Sequence, residues 1–290
     1  MWGKMIKKKN LYIKTLAILL FKKRGGILNR HNSMISPKGY ELSNSHKAFN
    51  RVNTLIGYLA PHKCSSPLKR VGGTLDGSYI ILDNLINSKT YLISGGIEKN
   101  NKFEISLANK GVLGVQIDNS INKPPKEHKN LNFINATLGK NDGLGEVSLR
   151  TLIRNSPNNK KLIVKMDIEG GEIDAIEGTP INLLKKIDCL VLELHNLSAI
   201  MENTKLLQIL AKLHKSGLRS VFIQPNNACL VYTLGGVQIP DNVEITFIRS
   251  GEIFTSDIEF IKKIKLFTRP NTKSMALVNI DHILLHNVWK

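Results

Sequence analysis

The 290-residue chain is short of three things: cysteine, acidic residues near its start, and long apolar runs. Its cysteines, Cys64, Cys189 and Cys229, are odd in number and scattered. They form neither a CxxC pair nor a Cys/His cluster, which argues against a disulfide framework or a structural zinc site and fits a reducing, cytoplasmic compartment. No run of about 18 apolar residues is present, so nothing reads as a spanning helix. The short apolar block Leu16 to Phe21 runs straight into Lys22, Lys23 and Arg24 without a small-residue cleavage site, unlike a secretory signal. There is no internal repeat, and the glycine fingerprint GxGxxG of dinucleotide-binding folds is absent.

The charge is uneven. Of 41 basic and 23 acidic residues, residues 1–70 hold 15 of the basic and only Glu41 of the acidic, so the rest of the chain carries a net of about +4 out of +18. Basicity is therefore a property of the N-terminal segment. A core fold that reads nucleic acid should carry its positive charge along its own groove, so a nucleic-acid partner is not the favoured reading. The first 24 residues suit either an interfacial helix whose lysines meet anionic headgroups or a basic extension docked on the domain. Residues 25–46, rich in Gly, Ser and Asn, read as a linker.

From residue 89 the pattern alternates strand-like and helix-like segments. Strands are expected at 90–94, 112–118, 131–139, 161–170, 187–195, 218–224 and 242–250, and helices at 103–111, 172–178 and 204–217, with a short helix or loop at 146–156. The amphipathic helix expected at 204–217 carries Leu206, Leu207, Leu210 and Leu213 on one face and Gly217 as a stop. The last two strands have no helix between them, which predicts an antiparallel pair. The expected fold is α/β: a doubly wound, Rossmann-like sheet of class I methyltransferase type with a C-terminal antiparallel strand. The divisions that follow are a basic extension 1–35, a cover and linker 36–88, the methyltransferase-type domain 89–250 and a C-terminal extension 251–290.

In such sheets ligands bind at the carboxyl ends of the strands. The first strand ends in "SGGIE", offering Ser94, Gly95, Gly96 and Glu98, where glycines let backbone approach a ligand. The second ends in Asp118–Asn119, about 20 residues on, a distance at which an acid accepts hydrogen bonds from ribose hydroxyls. Asn135 follows the third strand as a further candidate. Each element has a plainer alternative, a tight turn for the glycines and a helix cap for Asp118. Together, and without GxGxxG, they point to the adenosyl part of S-adenosylmethionine rather than NAD. The fourth strand ends in "VKMDIEGGE". If it continues, Asp167 and Glu169 share a face, while Glu172 reads as a charge in the first turn of a helix. The fifth ends in Glu193 and His195, again two apart. With no third ligand evident beside an Asp/Glu pair, no metal site is expected.

These residues resemble a family. "KMDIEGGEIDAI" is similar to the KxDxEGxE signature of the FkbM-type S-adenosylmethionine-dependent methyltransferases. "RVGGTLDGSYII" resembles the R-x-G-x-x-x-DGGY stretch before the first strand in one branch, and "SGGIEKNNKFE" its S-x-G-I-G loop with a following Phe-acid pair. "VLELH", Asn226–Asn227 and "IPDNVEITFIR" resemble the following strand and closing hairpin, so the likeness covers about residues 68–250. The sequence departs from the pattern at Ser78 and Glu98, where glycine is usual, and at Gln224–Pro225, where a His-Gly pair is usual.

The resemblance implies methylation of a hydroxyl on a glycan or related small molecule, with S-adenosylmethionine as cofactor and Asp167, Glu169 and His195 as candidate catalytic residues. Glu98 is expected near the methionine end of the cofactor, either turned outward or paired with its amino group. The alternatives are an RNA-directed enzyme using the basic arm and a degenerate binding protein of the same fold. The oligomeric state is not readable.

Overall fold

The computed structural model describes residues 46–234, 236–269, 271 and 279–286. The basic extension and the membrane or RNA contacts expected of it lie outside the described residues. Among those described, no helix is long and apolar enough to cross a membrane.

Seven strands form the central sheet: β1 (Thr90–Gly95), β2 (Leu113–Ile117), β3 (Leu131–Ile134), β4 (Lys161–Met166), β5 (Cys189–Leu194), β6 (Leu218–Pro225) and β7 (Val243–Arg249). Their order is β6-β7-β5-β4-β1-β2-β3. The ladders β5–β4, β4–β1, β1–β2 and β2–β3 are parallel, and β7 runs antiparallel to both β5 and β6. This strand order, with its reversed seventh strand, is the class I methyltransferase-type fold. The third strand is shorter than its apolar run suggested. It stops at Ile134, and Thr137–Gly139 instead pairs with Glu146–Ser148 in a separate two-stranded ribbon. The segment read as a short helix or loop divides at Ser148, whose hydroxyl caps α3 (Leu149–Asn155) by accepting the Thr151 N–H at 3.3 Å.

Around the sheet lie α1 (His46–Leu59), α2 (Lys102–Ala108), α4 (Glu172–Glu177), α5 (Ile181–Leu184), α6 (Lys205–Lys215), α7 (Ile258–Lys265) and α8 (Asp281–Leu284). Strand residues alternate between two apolar layers, as the period of two requires. Ile93, Val164, Leu190 and Leu192 face the layer that holds α1 and α6. Leu92, Ile163, Cys189 and Val191 face a second layer with α2 and a β-hairpin, Leu68–Val71 against Tyr79–Leu82. Both faces are covered, which is why the parallel strands read as continuous apolar runs.

Helix α6 buries Leu206, Ile209, Leu210 and Leu213. Ile209 takes the place expected of Leu207, which is only partly buried. Lys212, His214 and Lys215 sit in its last turn, where the helix dipole favours cations, and Gly217 ends it at φ +90°. Leu210 is fully buried. Leu210→Ala is expected to lower stability by about 2–5 kcal/mol through lost burial plus a cavity, read as an earlier urea midpoint.

The cover and the C-terminal extension share this core. Ala48, Val52 and Leu55 of α1 pack in one cluster with Ile261 and Ile283 of α7 and α8. The short strand Lys63–Cys64 pairs with Ile253–Phe254.

Candidate active site

Because β1, β4, β5 and β6 all run the same way, their carboxyl ends share one edge of the sheet, joined there by the amino end of β7. Sheet order reverses between β1 and β4, so a crevice opens at that edge. Three non-glycine residues have left-handed backbone among the described residues: Glu98 (φ 38°), Glu169 (φ 54°) and Asn196 (φ 58°). They follow β1, β4 and β5, so this strain is concentrated along the one edge.

The polar side chains of the edge belong to the hairpin-facing layer. Glu193 pairs in register with Glu244, and Glu244 with Gln224, so the three share a face. Asp167 continues the row past the end of β4. Tyr79, from the hairpin, donates its hydroxyl to Asp167 Oδ2 at 2.6 Å. Burial, then the adjoining Asp167 charge, raises the Tyr79 pKa, which keeps the phenol a donor. Lys165, two residues before Asp167 and therefore on the same face, is buried beneath the Tyr79 ring, 5.0 Å from its centroid. Its ammonium binds the Gly95 carbonyl at 3.2 Å and also the Gly96 carbonyl. A cation on β4 thus holds the β1 loop, beneath the Tyr79 ring that reaches Asp167.

The strand period that predicted a shared face for Asp167 and Glu169 does not apply, because β4 ends at Met166 and Glu169 lies in a left-handed turn. The turn nonetheless carries Glu169 to the site. Its Oε2 stands 3.5 Å from His195 Nε2, with its side chain 75% exposed. Glu172 is more than a helix-start charge. It is buried, accepts the Ile168 N–H at 2.9 Å, and holds Oε1 3.4 Å from His195 Nδ1. Glu193 stands 3.9 Å from His195 Nε2. Asn226 donates to Glu193 Oε1 at 2.8 Å.

These groups move each other's protons. Burial lowers the His195 pKa, but Glu172, Glu193 and Glu169 outweigh it and bring the value up to about 9. Burial, then the Asp167 charge, pushes Glu193 up to about 8. The two titrate as a pair, and at neutral pH the pair retains protons. Further along the row, burial pushes Glu244 up to about 7 against hydrogen bonding from Asn271 and the charge of Arg70.

Arg70 anchors this outer part. It donates to the Ser78 carbonyl at 3.0 Å, the Ser78 hydroxyl at 2.9 Å and Gln224 Oε1 at 2.9 Å, and also to the Phe267 carbonyl. Gln224 passes the contact on to Glu244 Oε2 at 2.7 Å. Two of the departures from the family pattern, Ser78 and Gln224, therefore meet on one guanidinium.

The cofactor candidates separate. Asp118 is buried and accepts four hydrogen bonds: the Ile97 and Glu98 N–H groups on Oδ2, both at 2.8 Å, and the Ser120 N–H and hydroxyl on Oδ1, at 2.7 and 2.6 Å. Burial alone would raise its pKa, but these bonds lower it. It clamps the loop after β1, and a ribose diol would have to take over the positions of Ser120. Gly95 and Gly96 lie at the crevice. Ser94 points away from it, buried, donating to Glu104 Oε1 at 2.6 Å. Asn119 donates to Thr137 Oγ1 at 2.8 Å and Asn135 to the Ile121 carbonyl at 2.7 Å, so both brace the loops around the crevice rim. Glu98 is exposed, the outward of its two expected orientations, and its φ explains why glycine suits that position. Beside this loop a cavity of about 520 Å³ is lined by Gly72, Gly73, Lys99, Asn101, Lys102 and Lys126.

No family model matches the chain, and no curated protein matches it. Among solved structures it is similar to the 23S rRNA methyltransferase ErmE, at 10% identity over 62% of this chain and 70% of that one, with a TM-score of 0.32. It is also similar to the pyocyanin biosynthetic protein PhzM, at 11% identity over 58% of this chain and 52% of that one, with a TM-score of 0.30.

S-adenosylmethionine carries two positive charges, a sulfonium and an ammonium, on a neutral adenosine. The carboxylates Asp167 and Glu169 beside the β1–β4 crevice suit those charges, and Asp118, its pKa held low at the end of β2, suits a ribose. The donor set therefore fits the cofactor. The sequence assigns no site role to Tyr79, Lys165, Arg70 or Asn226, although Arg70, Tyr79 and Asn226 lie in stretches that carry the family resemblance. The period of two could have flagged Lys165, which shares a face with Asp167. The other three reach the site only through folding of the hairpin and the β6–β7 loop.

Proposed function

We propose that the chain is an S-adenosylmethionine-dependent O-methyltransferase of FkbM type, acting on a hydroxyl of a glycan or related small molecule. The observation that carries this reading is the carboxylate-rich crevice at the β1–β4 switch point of a class I methyltransferase-type sheet, with an ionised acid at the end of β2. The bound cofactor supplies a methyl group made electrophilic by its sulfonium. Asp118 holds the loop after β1 in shape and receives the ribose. Asp167, Glu193 and His195 orient the acceptor hydroxyl, since correct alignment is most of what methyl transfer asks of a protein. Glu169, solvent-facing and next to His195, takes the hydroxyl proton out to water.

Calorimetric titration of the full chain with S-adenosylmethionine is expected to show one saturable site. Asp118→Ala should weaken it at least about tenfold, the scale of losing hydrogen bonds to a charged group. Absence of binding in the parent protein would refute the cofactor assignment.

A second acceptor class has a specific observation in its favour: Lys99, Lys102 and Lys126 around the cavity beside the cofactor loop. Together with the basic residues 1–70 they suit an RNA. Salt-sensitive retention of RNA by the full chain, lost on deleting residues 1–35, would favour it over the glycan.

A further inference from the structure

We propose that Asp167, Glu193 and His195 form a binding site for one divalent transition-metal cation. One ligand atom from each lies within 4.8 Å of the other two. A cation bonded to oxygen and nitrogen at about 2.0–2.2 Å holds its ligands roughly 3–3.5 Å apart, so closure needs a contraction of about an ångström, within reach of side-chain rotation.

The surroundings are those of a metal site rather than of a chance acidic cluster. Each ligand is held from behind. Tyr79 donates to Asp167 Oδ2 at 2.6 Å, Asn226 donates to Glu193 Oε1 at 2.8 Å, and Glu172 stands 3.4 Å behind His195 Nδ1. A carboxylate behind the distal nitrogen of a ligating histidine fixes its tautomer and aims the other nitrogen. Glu172 is itself fixed by the Ile168 N–H.

The second, independent observation is His195. Its side chain is only 8% exposed, its Nδ1 is backed by Glu172 at 3.4 Å, and its Nε2 is aimed into the cluster at 3.5 Å from Glu169 and 3.9 Å from Glu193. A buried imidazole backed by one carboxylate and turning its other nitrogen toward two more presents that nitrogen as a metal ligand would. One imidazole with two carboxylates selects a first-row transition dication over the all-oxygen preference of Mg²⁺ or Ca²⁺. Glu169 beside these residues is 75% exposed, so an acceptor hydroxyl could reach a bound cation from solvent and would become more acidic there. Use of the cation in methyl transfer rests on the reading above, whereas its binding does not.

The test is titration of metal-stripped, full-length protein with Mn²⁺, followed by loss of the free-ion electron paramagnetic resonance signal. One ion per chain is expected. Glu193→Gln and His195→Ala should each weaken binding by about 100-fold or more, and Asn226→Ala, behind Glu193, by about tenfold. Circular dichroism identifies folded variants, and Asn226→Ala decides the matter if the inner two unfold. Absence of saturable uptake by the parent, or affinity unchanged in the folded variants, overturns the site. Titration of the same preparation with S-adenosylmethionine separates the two failures. Mn²⁺ uptake without cofactor binding removes the transferase reading and keeps the cation site, and the converse removes the cation site alone.

Discussion

Lys165→Met should lower the melting temperature by roughly 10 °C, equivalent to about 3–5 kcal/mol for a chain of this size. Lys165 is 3% exposed, and methionine nearly matches its volume, so packing is preserved and charge is what changes. One buried carboxylate depends on that charge. Glu104 is fully buried with one oxygen lacking a partner. Burial raises its pKa, and the Lys165 charge is the leading influence opposing this. The Gly96 carbonyl also loses its donor. Removing one partner of a buried charge group exposes the desolvation penalty of those left behind. The companion double variant, Lys165→Met with Glu104→Gln, removes the stranded carboxylate and should recover part of the loss. A melting temperature within about 1 °C of the parent for the single variant would show that Lys165 does not organise the edge. A double variant no better than the single would show that Glu104 was not its partner.

Most of the sheet was legible because its chemistry is local. Parallel strands covered on both faces become apolar runs, and β1, β4 and β5 announce themselves that way. The lack of a helical pattern between β6 and β7 was enough to predict their antiparallel pairing. The strand ends were legible for the same reason: Gly95–Gly96, Asp118, Asp167 and His195 interrupt apolar runs where the chain must turn. What surrounds those ends was not. Tyr79 lies 88 residues from Asp167, and Asn226 lies 33 from Glu193. No local pattern encodes such contacts. Glu172 does sit in the first turn of α4, as expected, but that sufficient local explanation hid its approach to His195. Ser94 was placed at the crevice by its position in the loop, but its strand parity turns it into the layer occupied by Glu104. Glu169 reached the site for a reason other than the one expected. Alternation would have pointed it there only if β4 had continued; a left-handed turn does so instead.

Gly96→Ala should be the most damaging single methyl group in the protein. The residue sits at φ +72°, and a Cβ built there would lie 1.7 Å from the Asp167 carbonyl oxygen. The backbone conformation alone disfavours an L-residue by about 1–2 kcal/mol. The clash adds to this, and it cannot be relieved by rotating a side chain, because the obstructing atom is backbone. The Asp167 N–H is bonded to the Gly95 carbonyl at 3.2 Å, and the Gly96 N–H to the Ile117 carbonyl at 3.0 Å. Any shift of the clashing peptides therefore disturbs the ends of β4, β1 and β2 together. A total loss of about 3–4 kcal/mol follows, near the top of the range for single substitutions. Cofactor binding should disappear with it, since the loop that Asp118 clamps begins at this residue. Gly143→Ala is the matched control: a Cβ there meets nothing within 4 Å and its φ is not positive, so its urea midpoint should stay with the parent's. If the two variants unfold at the same urea concentration, the tight meeting of the β1 and β4 ends is not what shapes the crevice. If only Gly96→Ala falls, and S-adenosylmethionine binding falls with it at temperatures where the variant remains folded, the crevice between those strands is the cofactor's place.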